Sequence, residues 1–346
     1  METFWFIAVA FMITMYVLLD GFDLGAGAIH PFVAKNDDKR RMVIWAIGPV
    51  WDGNEVWLIA AGGTLFFSFP LLYASSFSGF YLPLIIVLWL LMMRGLSIEL
   101  RGHIDNPLWS SFWDGAFFLG SGLLAIFYGA ALGNVVRGVP IGEDGYFFQP
   151  LWTDFSPTSP NPGILDWYTV LTGLLALSTL VVHGANFIAV KTEHELNTRS
   201  RRAARLGWFS TLALTALTTI TTFYLRPGML FAFTERPWGI VLPVLALGGL
   251  VGMIYFNLKG QDRAAFLSSS AYILGMMTST AFAVYPVVLP AVDPANSLTI
   301  YNASASPYSL RVGLVWWTIG MVLAAVYFIL IYRLFRGKVR MEDDGY

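Results

Sequence analysis

The hydrophobic pattern of this chain consists of long apolar runs separated by polar segments. A helix needs about 20 consecutive, mostly apolar residues to cross the hydrocarbon core of a bilayer. The runs that reach this length are residues 4–29, 43–68, 72–98, 113–135, 164–190, 204–225, 238–258, 265–289 and 311–335. The pattern predicts an all-α integral membrane protein with nine transmembrane helices.

The connections between the apolar runs are too short to hold a soluble domain, so we expect residues 1–346 to form a single transmembrane domain. The two longest connections, residues 136–163 and 290–310, are rich in Pro and Ser and predict irregular surface loops. The N-terminus lacks the basic segment of a cleaved signal peptide. We therefore expect the first apolar run to remain in the mature protein as a true span.

The basic residues are distributed unevenly between the two sides that nine spans would define. Loops on the cytoplasmic side of a membrane carry an excess of Lys and Arg. One side holds 17 of the 21 basic residues: Lys35, Lys39, Arg40, Arg41, Arg94, Arg101, Lys191, Arg199, Arg201, Arg202, Arg205, Lys259, Arg263, Arg333, Arg336, Lys338 and Arg340. The other side holds Arg137, Arg226, Arg236 and Arg311. This predicts an N-terminus outside and a C-terminus in the cytoplasm.

A weak internal repeat links the two halves of the chain. Asp20-Gly21 in the first span is echoed by His183-Gly184 in the fifth, and basic residues follow both pairs at nearly equal offsets. A parallel duplication of a four-helix unit would produce this pattern. We expect two four-helix bundles, within residues 1–135 and 164–290, and one peripheral helix at residues 311–335.

Composition and charge narrow the function classes. Residues of the AVILMFWYC set make up 56% of the chain and DEKR only 12%, against about 25% charged residues in soluble domains. The net charge of -1 gives no basic face for nucleic acid. With no cysteine, the chain has no disulfide, thiolate-bound metal or iron–sulfur cluster. Nucleic acid is therefore excluded as a partner, and a redox centre on this chain would need His or Met ligands.

Ionisable residues inside the predicted spans are few, and they cluster. Asp20 and Asp23 in the first span and Asp52 and Glu55 in the second each have an i, i+3 spacing, which places a pair on one helix face. Arg94 in the third span is expected at a similar depth, in the cytoplasmic half. A charge near the bilayer centre costs about 2.5–3.5 kcal/mol on insertion scales, so each one requires a reason. The cluster predicts a polar pocket or proton relay.

Two other interpretations of these charges stay open. A proton- or cation-coupled secondary transporter would use the same intramembrane carboxylates as its coupling site. A scaffolding subunit would use them only to pair with charges on a partner, because acidic and basic residues near helix ends can simply form ion pairs or reach the interface.

Of the four histidines, only His183 lies clearly inside a predicted span. A haem b usually takes two axial side chains, His with His or Met. Since His183 is largely alone, we predict an interhelical hydrogen bond rather than haem ligation.

Several motifs resemble those of subunit II of the cytochrome bd quinol oxidases. The most specific are DGFDLG at residues 20–25, WDGNEVWL at 51–58 and FSGFY at 77–81. WDG at 113–115, GN at 133–134 and GVP at 138–140 extend the resemblance over nearly the whole chain.

The resemblance implies a haem-free subunit of a complex that oxidises quinol and reduces dioxygen to water in a prokaryotic inner (plasma) membrane. Two b haems and one haem d are expected on subunit I, which would form a heterodimer with this chain and carry the active site. No catalytic residue, metal or directly bound cofactor is expected on this chain. A structural quinone and a small single-helix third subunit are left open, and membrane lipids and quinone are the remaining expected partners.

The resemblance further implies a hydrophilic proton channel from the cytoplasm along the interface of the two subunits. Asp20 and Asp52 match its aspartates in the first and second helices. Asp23 and Glu55 would lie on the same proton pathway, and the expected supporting residues are Trp51, Asn54 and Arg94. No role carries over to His183.

Overall fold

The computed structural model describes residues 1–339, so Arg340, one of the predicted cytoplasmic basic residues, lies outside the described part of the chain. The fold is almost entirely helical. The helices are α1 (Glu2–Val33), α2 (Asp37–Ile47), α3 (Trp51–Ser68), α4 (Pro70–Gly79), α5 (Tyr81–Leu100), α6 (Pro107–Arg137), α7 (Trp167–Lys191), α8 (His194–Leu225), α9 (Gly228–Glu235), α10 (Val241–Leu258), α11 (Asp262–Val284) and α12 (Pro307–Leu334). Two short strands, β1 (Val287–Leu289) and β2 (Leu298–Thr299), pair antiparallel.

Within residues 1–339, eight helices are long and apolar enough to cross a membrane: α1, α5, α6, α7, α8, α10 with the turn before it, α11 and α12. The remaining predicted span, residues 43–68, is divided between α2 and α3. The break at Gly48–Val50 contains Pro49, and the first turns of α3 carry Asp52, Asn54 and Glu55, which lower its hydropathy. Because α3 packs along α1, it is the candidate for the ninth span, and nine spans stay a prediction.

The predicted span 72–98 is also interrupted, at Phe80 between α4 and α5. Pro83 has no N–H, so it cannot donate to the Gly79 carbonyl as a helix would require. The backbone N–H of Gln149 donates to that carbonyl instead, at 3.3 Å. The break therefore follows from one proline and is closed by a loop far along the chain.

Corresponding helix pairings occur in two groups of four helices. α1 packs with α3, α5 with α6 and α1 with α6; in the same way α7 packs with α8, α10 with α11 and α7 with α11. The packing of α7 against α1 and α6 is as extensive as the packing within either group. Corresponding pairings are what a duplicated four-helix unit would produce, and both the duplication and the two separate bundles stay predictions.

Glycines allow the two groups to meet closely. At the crossing of α1 and α7, a Cβ atom on Gly25 would lie 2.8 Å from the backbone nitrogen of Gly184 and 2.7 Å from the carbonyl carbon of Leu180. Real Cβ atoms do not approach backbone atoms this closely, so only glycine fits at this crossing.

Helix α12 lies at the edge of the bundle and packs against α3. The segment that follows it returns to the end of α7. The Nζ group of Lys191 donates to the Phe335 carbonyl at 2.6 Å, and the N–H of Val339 donates to the Lys191 carbonyl at 2.8 Å. The C-terminal part of the described chain therefore connects the two groups of helices.

The two long connections are largely irregular and partly exposed, as the sequence predicted, but they do not lie separately on the surface. They pack together into a loop cap, defined here as residues 138–166 and 285–306, which contains β1, β2 and a backbone bridge between Val139 and Ala291. The cap buries Val139, Ile141, Phe147, Leu289, Leu298 and Ile300. The predicted span 265–289 accordingly ends at Val284, because the residues beyond it form β1.

Several contacts join helix ends that the sequence assigned to the same side of the membrane. Lys39 forms an ion pair with Glu195, and Arg201 Nε lies 2.6 Å from Asp262 Oδ1. At the other end, Arg226 Nε donates to the Arg137 carbonyl at 2.6 Å. The end that carries Lys39 is named the predicted cytoplasmic end below, since which end faces the cytoplasm stays a prediction.

Candidate functional site

The centre of the candidate site is an ion pair between Arg94 on α5 and Asp20 on α1, both fully buried. Nη1 of Arg94 donates to Oδ2 of Asp20 at 2.7 Å, and Nη2 lies 2.7 Å from Oδ1. A planar guanidinium holds a carboxylate in this way through both of its terminal nitrogens. Each charge compensates the other in a region where either one alone would be costly.

Glu55 and Trp51, both on α3, complete the surroundings of the guanidinium. Nη2 of Arg94 donates to Oε2 of Glu55 at 3.2 Å, and the Glu55 side chain is 20% exposed. The guanidinium carbon lies 5.9 Å from the centroid of the Trp51 ring, within the range of a cation–π contact. Arg94 therefore links the buried carboxylate of Asp20 to a carboxylate that reaches the surface of the chain.

Asp23 lies one helical turn from Asp20 and has different partners. Its Oδ2 accepts from Nδ2 of Asn54 at 2.8 Å, and Oδ1 of Asn54 accepts from the hydroxyl of Tyr332 on α12 at 2.8 Å. Asp23 is fully buried, and in residues 1–339 it has no ion pair with Lys or Arg. Tyr332 had no signal in the sequence, because a tyrosine near a helix end is typical of the membrane interface.

Asp52 is placed differently from the other predicted site residues. It lies in the first turn of α3, on the exposed face, and forms no ion pair or hydrogen bond within the described part of the chain. The structure thus brings Asp20, Asp23, Glu55 and Arg94 together and leaves Asp52 at the surface one turn from Glu55. Asp52 and Glu55 lie on the same side of α3 because of their i, i+3 spacing. Asp52 is nearer the end of the helix and is exposed, whereas Glu55 is one turn further in and partly buried.

A second group of charges, at the predicted cytoplasmic end, was not predicted as a site. Asp114 at the start of α6 accepts from Arg101 Nε at 2.6 Å and from Arg40 Nη1 at 2.9 Å. The ring of His30 lies 3.4 Å from the same carboxylate, and Arg101 also contacts Asp37 at 2.7 Å. The group ties together the ends of α1, α2, α5 and α6. The WDG motif at residues 113–115 was the one indication of this group in the sequence. It did not show which residues elsewhere in the chain would contact Asp114.

Asp37 belongs to this group and lies outside the membrane-spanning segments. Partial burial of Asp37 acts to raise its pKa, but hydrogen bonds and attraction from Arg101 and Arg41 outweigh it. The pKa of Asp37 is therefore lower than its ordinary value, and the carboxyl is ionised at neutral pH.

At the opposite end, a buried network fixes the start of the loop cap. Arg137 forms an ion pair with Asp166 and donates to Asn134 Oδ1 at 2.6 Å and to the Gly163 carbonyl at 3.1 Å. Gln149 Nε2 donates to the same Asn134 oxygen at 3.2 Å. This network gives Asn134 of the GN motif a structural role.

His183 confirms the predicted interhelical hydrogen bond. Its Nε2 lies 2.9 Å from the Leu18 carbonyl on α1, and its Nδ1 lies 2.7 Å from Ser269 Oγ on α11. The ring also stacks on Phe266 at 4.8 Å. With both nitrogens engaged, His183 does not fit the role of an axial haem ligand.

Chemically, the site is suited to holding protons. Asp20 and Glu55 share one guanidinium and Asp23 has no cation as a partner, so the described site has fewer positive than negative groups when all are ionised. Excess charge is costly inside a membrane, and binding a proton removes it. No group of His, Asp and Glu in residues 1–339 has an arrangement that could hold a metal ion.

Comparisons with known proteins cover nearly the whole chain. The family model "Cytochrome bd terminal oxidase subunit II" matches residues 1–335. "Probable cytochrome oxidase subunit 2" of Haemophilus influenzae is 32% identical over 97% of this chain and 94% of its own. "Cytochrome bd-I ubiquinol oxidase subunit 2" of Escherichia coli K12 is 30% identical, with 98% and 95% covered.

"Cytochrome bd ubiquinol oxidase subunit 2" of Bacillus subtilis is 32% identical over 89% of this chain and 88% of its own. Among solved structures, "The structure of bd oxidase from Geobacillus thermodenitrificans" contains a chain with a TM-score of 0.74 and 16% identity, with 97% of this chain and 98% of that chain covered. At this identity the structural likeness concerns the fold alone.

Proposed function

The chain belongs to the cytochrome bd terminal oxidase subunit II family, and we propose that it is the haem-free subunit of a quinol oxidase and supplies part of the proton path for the reduction of dioxygen to water. Family membership makes it a multi-pass subunit of an oxidoreductase complex in a bacterial plasma membrane, with haem on the partner subunit 1. Two b haems and one haem d on that partner are part of the proposal.

The observation that carries the proton role is the line of carboxylates from the surface of α3 to the interior. Asp52 is exposed, Glu55 is partly exposed one turn away, and Arg94 joins Glu55 to the buried Asp20. An exposed carboxylate on an otherwise apolar membrane face requires a polar environment, which a partner subunit and water supply. This face of α3 is therefore where protons pass from Asp52 towards the partner.

The haems of the partner supply electron transfer from quinol to dioxygen. The residues of this chain take part in proton uptake and transfer. Asp52 takes up a proton at the predicted cytoplasmic end, and Glu55, Asp20 and Asp23 provide further oxygens along the path. Arg94 compensates the charges of Asp20 and Glu55 between transfers. Because protons for water would enter from the cytoplasm while quinol protons leave outside, charge is separated without a pump.

Replacing the aspartates tests this proposal. We expect Asp52→Asn and Asp20→Asn to lower quinol-dependent oxygen consumption of the purified complex by about tenfold or more, since an amide cannot bind and release a proton as a carboxylate does. Asp52→Asn is the cleaner variant, because Asp52 has no partner within residues 1–339 to disturb. The visible haem spectrum, measured on the same samples, reports assembly.

Asp38→Asn is the matched control. Asp38 is exposed at the same end, on α2, and makes no ion pair in the described chain, so turnover should not change. Parental turnover in both test variants would rule out the relay. Loss of haem content in step with turnover would instead support the scaffolding interpretation, in which the charges serve assembly only.

The transporter interpretation gains no support, since the relatives reported above are oxidase subunits. A structural quinone on this chain and a small third subunit stay expectations from the resemblance.

A further inference from the structure

A polar chain crosses three helices next to the candidate site. The hydroxyl of Tyr332 on α12 donates to Oδ1 of Asn54 at 2.8 Å, and Nδ2 of Asn54 donates to Oδ2 of Asp23 at 2.8 Å and to the Leu19 carbonyl at 3.3 Å. Asn54 and Asp23 are completely buried. Neither the sequence nor the family resemblance pointed to Tyr332.

The partners of Asn54 decide how its amide is oriented. The Leu19 carbonyl can only accept a hydrogen bond, so it requires the NH₂ group of Asn54 on the side of α1. The amide oxygen then faces α12, where it needs a donor, and the Tyr332 hydroxyl supplies one. A rotated amide would direct its oxygen at the Leu19 carbonyl and at the Asp23 carboxyl and would lose both hydrogen bonds.

Asp23 differs from Asp20 in having an oxygen with no charged neighbour in contact. Oδ1 of Asp20 lies 2.7 Å from Nη2 of Arg94 in an ion pair, whereas Oδ1 of Asp23 has neither a hydrogen-bond partner nor an ion pair in residues 1–339. A proton can bind to this oxygen, forming an O–H bond, and leave it again while the Asn54 N–H stays on its nitrogen. An amide gives up its proton poorly, so the chain from Tyr332 to Asp23 is not itself a proton wire.

From this geometry we propose that Tyr332 is a positioning residue, which holds the Asn54 amide in the orientation that sets how Asp23 binds a proton during transfer. The proposal rests on the proposed function and adds to it a control exerted from the peripheral helix α12. The ionisable groups that face Asp23 are Asp20 on its own helix, Glu55 on α3, Arg94 on α5 and Tyr332 on α12.

The test compares two tyrosines on the same helix. Tyr332→Phe removes the hydroxyl that fixes Asn54. Tyr327→Phe is the matched control, because Tyr327 also packs on α3, next to Gly53, but its hydroxyl makes no hydrogen bond within the described residues. Both variants keep the ring and are examined as complete oxidase complexes with their haem spectra.

The readout is the infrared C=O stretching band of the protonated Asp23 carboxyl, assigned by its loss in Asp23→Asn. We expect Tyr332→Phe to shift this band and to slow turnover by about two- to tenfold, the range that corresponds to one neutral hydrogen bond. Tyr327→Phe should leave both unchanged. A merely structural role for Tyr332 would not move the band.

Asn54→Val gives a second and independent test. If Tyr332 acts through Asn54, then Asn54→Val shifts the same band, and adding Tyr332→Phe to it produces no further shift. Additive shifts, or a band in Tyr332→Phe at its parental position, would overturn the positioning role. The absence of any carboxyl band that depends on Asp23 would overturn it as well.

The two proposals fail separately. Parental turnover in Asp20→Asn and Asp52→Asn contradicts the proton path. Slow turnover in those variants, together with parental behaviour of Tyr332→Phe, contradicts only the role of Tyr332.

Discussion

Arg94 has a buried guanidinium whose two terminal nitrogens contact Asp20 and Glu55. In water such an ion pair would contribute little, but within a membrane the alternative is an uncompensated charge. The net contribution of the ion pair to stability is therefore small, whereas removal of Arg94 alone is costly because it leaves a buried charge unpaired. This asymmetry predicts different outcomes for single and double substitutions.

Arg94→Gln should leave Asp20 buried without a cation and destabilise the complex by about 3–5 kcal/mol, as breaking a buried ion pair does. Arg94→Lys should restore little of the stability that Arg94→Gln loses, because an ammonium group cannot contact both Asp20 oxygens in parallel. The double variant Arg94→Gln with Asp20→Asn should recover part of the lost stability. Thermal release of haem from the purified complex measures all three, and equal stability of the single and double variants would contradict the argument.

Much of the site at this scale follows from the sequence alone. Asp20, Asp23, Glu55 and Arg94 stand out because charged residues are rare inside apolar runs. Tyr332 and the Asp114 group do not stand out. Tyr332 and its partner Asn54 are 278 residues apart, and Asp114 and Arg40 are 74 residues apart. A pattern along the chain does not show which distant residues contact each other.

Between helices, the crossing of α1 and α7 depends on two glycines that leave no room for a side chain. A Cβ atom on Gly184 would meet the backbone of Gly25 and Ala26. Backbone cannot move aside as a flexible side chain can, so the helices would have to separate.

Gly184→Ala should therefore strongly reduce the yield of assembled, haem-containing complex. Gly248→Ala on α10 is the matched control, because no described atom beyond its own stretch of α10 lies within 4 Å of the added Cβ. Alanine is a better helix former than glycine by about 1 kcal/mol, so the control should be neutral or slightly stabilising. Normal yield of Gly184→Ala would show that the crossing is looser than described.

At the level of helices, hydropathy predicted where most spans lie but not how they are interrupted. The breaks at residues 48–50 and at Phe80 follow from Pro49 and Pro83, and those prolines are visible in the sequence. The hydrogen bond from the Gln149 N–H to the Gly79 carbonyl, which compensates for Pro83, is not visible in the sequence. The loop cap was missed for a similar reason: Pro, Ser and Asn indicate turns, but they do not reveal that two such segments bury one another.

For the molecule as a whole, the exposed face of α3 is the surface most relevant to function. The exposed stripe of α3 consists of Asp52, Val56, Ile59, Gly63 and Phe66, and its acidic end adjoins Glu55. Lipid alone would leave the carboxylate of Asp52 poorly solvated, so the complex rather than the single chain is the complete unit.

We therefore expect this chain, tagged at its C-terminus and purified in mild detergent from its native membranes, to bring with it a larger subunit with haem b and haem d absorption bands. The visible spectrum and a gel of the same sample measure this. A monodisperse, colourless single chain would contradict the proposed function and favour a transporter. Lys39 and Arg201, which the count of Lys and Arg assigned to one side, both form ion pairs at one end of the bundle.

The hydrogen bond between Tyr332 and Asn54 also has a consequence for biosynthesis. A chain leaves the ribosome N-terminus first, so α1 and α3 exist long before α12 does. Until α12 is made, the Asn54 amide oxygen lacks the donor that it has in the folded protein. A helix that is synthesised late, α12, thus completes a site that α1 begins. A chain terminated before α12 retains all the carboxylates of that site but not its final arrangement.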